Sequence, residues 1–157
     1  MAENWELLAT VNGDGTSTDI LTGTFDAKKF LQLQWFVEDG NAIEMQFNGD
    51  TAANYCRRWS NNWQTYQNLN TNLNNIGLQY TTTELYGSAY ISNISSNEKL
   101  LQSTDCERNT AGAGTAPITF ILNAKWTNSS DSITSIKMSK TSPNFTALDN
   151  LTVFGTD

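Results

Sequence analysis

Apolar side chains recur at every second position in segment after segment of this chain, which is the period a half-buried β-strand requires. Trp5, Leu7, Ala9 and Val11 form one such set, Leu31, Leu33, Trp35 and Val37 alternate with Gln32 and Gln34, and Ile43, Met45 and Phe47 alternate with Glu44 and Gln46. Ile118, Phe120, Leu122, Ala124 and Trp126 repeat the pattern, and shorter versions stand at Ala89/Ile91, Ile136/Met138 and Leu151/Val153. No window carries a sustained helical period with caps, and nothing alternates strand with helix as a parallel sheet requires. The expected architecture is an all-β, antiparallel sandwich of about eight strands, a single domain spanning residues 1–157.

Turn chemistry separates the runs: Asn12-Gly13-Asp14-Gly15, Glu38-Asp39-Gly40-Asn41, Asn48-Gly49-Asp50 and Asn128-Ser129-Ser130-Asp131. Asp39-Gly40-Asn41 is short enough to close a hairpin between strands ending at Val37 and starting at Ala42. The amide-rich stretch from Asn61 to Asn75 fits neither period and reads as a long loop or an edge excursion. Thr110 to Pro117, with its Ala-Gly-Ala-Gly centre, reads as a loop whose small side chains bury too little to offset ordering. Trp5, Trp35 and Trp126 are expected in the core.

The balance of 9 Lys and Arg against 16 Asp and Glu gives a net charge of -7, which repels a phosphate backbone; Arg57-Arg58 is the nearest approach to a basic run. No nucleic-acid partner is expected. No apolar run approaches the roughly 18 residues of a membrane span, so no membrane partner is expected either. Met1-Ala2-Glu3-Asn4-Trp5 lacks the basic and apolar regions of a signal peptide, which predicts synthesis and folding in the cytosol. The Asn-x-Ser/Thr sites at Asn93, Asn128, Asn144 and Asn150 then follow from composition rather than marking glycan acceptors. Cys56 and Cys106, the two cysteines, are expected as free thiols in a reducing compartment.

The chain contains no histidine, which removes Ser-His-Asp and Cys-His constellations and the commonest general base at neutral pH. No phosphate-binding glycine loop follows a strand, and neither a metal nor another cofactor is expected. Glu38-Asp39 and Asp14 could in principle supply the paired carboxylates of a glycosidase, but they fall in turns where solvated carboxylates are ordinary. Asn12 to Asp19 has the acidic, glycine-spaced look of a calcium loop yet lacks the bidentate Glu, so a plain turn is expected. No enzymatic activity is predicted. Trp59, Trp63 and Tyr66 sit among amides and form a candidate interaction surface, either a stacking platform for sugars or a packed subunit contact, with the contact favoured.

Phe47-Asn48-Gly49-Asp50-Thr51-Ala52-Ala53-Asn54-Tyr55 followed by Arg57-Arg58 resembles a phrase of tailed-bacteriophage structural proteins. Trp5 to Leu8 and Lys28 to Leu33 upstream, with Trp126 to Asn128, Ile133 to Ile136, Asn144 to Thr146 and Leu151 to Gly155 downstream, resemble the strands around it. The resemblance implies a jelly-roll-like sandwich of the kind found in capsid decoration or cement proteins and in head- or tail-fibre modules. It implies a homotrimer bound to the major capsid protein on the outer surface of the virion. The alternative it leaves open is a fibre or receptor-binding module that recognises host glycans through exposed aromatics. Within the phrase, Phe47, Asn48, Gly49, Asp50, Asn54 and Tyr55 are read as fold-building, with Asn48-Gly49-Asp50 making a tight turn and the Tyr55 hydroxyl reaching a backbone carbonyl.

Overall fold

The computed structural model describes residues 4–39, 42–62, 68–78 and 83–157. The strands in these residues are β1 (Glu6–Asn12), β2 (Asp19–Leu21), β3 (Phe30–Val37), β4 (Ile43–Phe47), β5 (Tyr55–Asn61), β6 (Asn68–Leu73), β7 (Ile76–Gly77), β8 (Leu85–Ser92), β9 (Lys99–Glu107), β10 (Ile118–Trp126), β11 (Ile136–Lys140) and β12 (Asn150–Thr156). They form two antiparallel sheets, one of eight strands in the order β1-β12-β3-β8-β9-β10-β5-β6 and one of four in the order β2-β11-β4-β7. The all-β antiparallel sandwich expected from the alternation is the fold.

The period-two sets meet across the space between the sheets. Leu31, Leu33, Trp35 and Val37 on β3, Leu85, Ala89 and Ile91 on β8, and Leu122 and Trp126 on β10 face Ile43, Met45 and Phe47 on β4 and Ile136 and Met138 on β11 in one buried cluster. Trp35 and Trp126 are each 1% exposed. Burying such side chains supplies about 1.5–3 kcal/mol each, the main term opposing chain entropy.

Two expectations are corrected. The strands on either side of Glu38 to Asn41 are not a hairpin: β3 pairs with β8 and β12 in the large sheet, while β4 pairs with β7 and β11 in the small one. Both runs bury one face, and opposed sheets let both faces point to the same core; Gly40 and Asn41 lie outside the described residues. Trp5 is not a core residue. It precedes the edge strand β1, where the sandwich no longer covers it, and it is 42% exposed. In the Asn61 to Asn75 stretch the edge alternative holds, because β6 lies within it as an edge strand of the large sheet.

Polar anchors hold the ends of the sandwich. The Lys140 ammonium and the Asp149 carboxylate are both fully buried and meet at 3.1 Å. Lys140 also donates to the Asp39 carbonyl at 2.9 Å, and Asp149 accepts the backbone N–H groups of Glu38 and Thr146. Removing one partner of such a pair leaves an uncompensated charge and costs about 3–5 kcal/mol. Glu38, Asp39 and Asp149 are thereby committed to structure, with Glu38 accepting the Thr146 hydroxyl at 2.7 Å. Asn93 is 1% exposed and ties Lys28 to Ile133 through both ends of its amide, so it offers no glycan acceptor.

Candidate functional site

The phrase from Phe47 to Tyr55 carries the chain from the small sheet to the large one, and its side chains bond to each other. Asn48 and Gly49 hold positive φ values of 51° and 69°, the left-handed region that a tight turn needs and that Asn and Gly tolerate. Asn48 accepts the N–H groups of Thr134 and Ser135 and donates to Ser132, which pins the segment before β11. The Tyr55 ring is buried between Phe47 and Trp126, and its hydroxyl accepts the Phe47 N–H at 3.0 Å and donates to the Asp50 carbonyl at 3.1 Å. Burial pushes this phenol up to about 12. Burial also works to raise Asp50, yet hydrogen bonds from Asn54, the Trp126 indole and the Ala52 N–H outweigh it and hold the carboxyl below its ordinary value. Phe47, Asp50, Asn54 and Tyr55 thus engage one another and Trp126 of β10, while Asn48 is committed to the segment before β11.

Elsewhere the polar candidates resolve into turns or single thiols. Asp14 accepts the N–H groups of Thr16 and Ser17 at 2.8 and 2.9 Å, an Asx turn whose bonds lower its pKa. Cys56 and Cys106 are free; they stand opposite Lys125 and Thr119 along β10, far too separated to bridge. Among the described residues no group of three or more His, Cys, Asp or Glu converges on a common point.

Two surfaces stand out among the described residues. On the outer face of the large sheet, Leu7, Phe154, Gln32, Tyr90 and Gln102 form one row across five strands, and Thr156, Phe30, Ser92, Leu100 and Lys125 form the next. Trp5 closes over them with its ring edge-on to Tyr90 at 6.2 Å. Trp5, Leu7, Phe30, Tyr90 and Leu100 are between 42% and 61% exposed, so five large apolar groups share one nearly uncharged patch.

The other surface is a cleft of about 550 Å³ where the inner face of the large sheet meets the edge of the small one. β5 supplies Arg57, Trp59 and Asn61, β10 supplies Phe120, β4 supplies Ile43 and Glu44, and the short β6–β7 link supplies Asn74 and Asn75. The Trp59 and Phe120 rings lie 4.9 Å apart. Arg57 donates to the Gly77 carbonyl and, at 3.3 Å, to Asn70, and burial lowers its pKa while Glu44 supports the charge. Asn75 donates to Glu44 at 2.8 Å. Of the three residues expected as an interaction surface, Trp59 is half-buried in this cleft, while Trp63 and Tyr66 lie outside the described residues.

Sequence reasoning missed a third feature. Lys99, Ser103, Asp105 and Glu107 alternate on the inward face of β9, a central strand of the large sheet, and all four are buried. Lys99 donates to the carbonyls of Asn97 and Asn128, and burial lowers its pKa. Asp105 sits opposite Gly87, where a Cβ would overlap both the Asp105 carboxyl and the Trp35 indole. Burial pushes Asp105 up to about 8, with the neighbouring Trp35 indole N–H opposing this in part. That contact is not a well-formed hydrogen bond, since both Asp105 oxygens and Trp35 Nε1 lack partners among the described residues.

No family model matches the chain, and no curated protein matches it. Among solved structures, scytalido-glutamic peptidase with a peptide-based transition-state analogue is similar at a TM-score of 0.31 and 7% identity, over 98% of this chain and 66% of that one. A likeness this weak carries no argument about activity.

Proposed function

We propose that this chain is a non-catalytic structural protein of a tailed-phage virion, a decoration protein that binds the major capsid protein on the outer surface of the head. The observation that supports this best is the outer-face patch of Trp5, Leu7, Phe30, Tyr90 and Leu100. Aromatic-rich, charge-depleted patches of this kind are what the centre of a protein–protein interface presents. The phrase from Phe47 to Tyr55, which resembles one in phage structural proteins, is spent on internal bonds, in keeping with a scaffold. Repeated capsid sites and self-association, taken as a homotrimer, add affinity through multivalency without any chemistry.

The test adds the purified protein to capsids that lack it. Wild type is expected to saturate at a stoichiometry fixed by shell geometry and to migrate in solution at three times its 17.4 kDa protomer mass. Leu100→Asp and Tyr90→Asp place a charge on the patch without touching the core, and each is expected to weaken capsid binding by about tenfold or more. Unchanged occupancy in both variants, with the fold intact, overturns the proposal.

A further inference from the structure

We infer that the cleft between β4 and β5 is a binding site for a neutral oligosaccharide. Its volume of about 550 Å³ lies inside the roughly 300–1,000 Å³ range of small-ligand clefts, which a di- or trisaccharide suits. Three features define the ligand class. The lining carries one cation and one carboxylate, Arg57 and Glu44, so its charge is balanced and neither an anion nor a cation gains by entering. The Trp59 and Phe120 rings supply an apolar, flat-faced wall against which the C–H face of a pyranose packs. Around that wall stand the amides of Asn61, Asn74 and Asn75, groups that can donate and accept and therefore match the two-way hydrogen bonding of sugar hydroxyls.

Local bonds hold several of these groups in place. Arg57 is clamped by Gly77 and Asn70, Glu44 by Asn75, and the Asn74 carbonyl by the Gln46 amide at 2.9 Å. A ligand would therefore meet partly pre-ordered partners and lose less affinity to side-chain ordering. This site lies on the inner face of the large sheet, opposite the patch proposed to meet the capsid, so a docked protein can keep it open. It does not depend on the capsid reading, and the two are probed by different residues.

The experiment titrates the full chain by calorimetry with a panel of neutral oligosaccharides built from glucose, galactose, mannose and N-acetylglucosamine, and with sialylated and sulfated counterparts. Saturable binding of a neutral member is expected, with the charged counterparts weaker. Trp59→Ala is expected to weaken it about tenfold or more. Asn61→Ala guards against loss of folding, because Asn61 Oδ1 has no partner among the described residues and its removal costs the fold little; it too should weaken binding. Tyr90→Ala, on the other face, should leave binding unchanged. No binding across the panel, a preference for the charged sugars, binding that survives both cleft variants, or binding lost in Tyr90→Ala overturns the inference.

Discussion

Replacing Asp105 by Asn should make the protein more stable, and by an amount that grows with pH. The Asp105 side chain is fully buried, its carboxyl oxygens have no partners among the described residues, and burial pushes it up to about 8 from an ordinary value of 3.8. A folded-state pKa above the unfolded one means that the native state holds one proton more between these values. Stability then falls as pH rises, by about 1.4 kcal/mol per pH unit. Across the whole window from 3.8 to about 8 the loss is on the order of 5 kcal/mol, and above about 8 it levels off because both states are ionised. Asn has nearly the shape of the protonated acid and does not titrate, so wild type and variant should match near pH 4. Urea unfolding of both proteins at pH values from 4 to 9 gives the difference directly, with other titrating groups cancelling. A difference that stays constant from pH 5 to pH 8 would refute the buried-acid account.

Trp126→Ala should cost about 3–5 kcal/mol by urea unfolding, since it empties a fully buried site and also removes the indole N–H that holds Asp50; a loss under about 1 kcal/mol would mean the aromatic cluster is not packed as described. Tyr55→Phe keeps the ring and strips the hydroxyl from the Phe47 N–H, with an expected loss of about 1–3 kcal/mol, whereas a neutral result would show that this bond adds nothing. Thiol titration of the native protein should modify Cys106 rapidly, because it is exposed and unpaired; two protected thiols that react only after reduction would contradict this.

Most of the core was legible because its strands bury one face of plain hydrocarbon. Leu31 to Val37, Ile43 to Phe47 and Ile118 to Trp126 announce themselves by period two alone. β9 escaped notice because its inward residues include Lys99, Ser103, Asp105 and Glu107, so the alternation is real but chemically inverted. β5 is not legible because Arg57 stands where an apolar residue would signal a strand, β6 reads only as a loop or an edge excursion because of its run of Asn, and β2 and β7 are too short to show a period. The pairing of strands was out of reach for a different reason. Alternation fixes which face is buried but not which sheet a strand joins, and the Glu38 to Asn41 link looks the same whether it turns a hairpin or crosses the sandwich. The candidate surfaces were half legible: Trp59 drew attention through its aromatic and amide neighbours, but Arg57, Glu44 and Phe120 join it only through tertiary structure. The patch around Tyr90 is not legible, because period two alone places Trp5 in the core in phase with Leu7, Ala9 and Val11.

The central claim is that the chain coats a phage head through the outer face of its large sheet. A cryo-electron microscopy map of the particle whose genome encodes it tests that most directly. The expected map shows the sandwich repeated over the head lattice, with Trp5, Phe30, Tyr90 and Leu100 covered by the shell or by a neighbouring copy and the Trp59 cleft facing outward. A map that has the chain only at a few tail or vertex positions, or on the head with that aromatic patch open to solvent, contradicts the account.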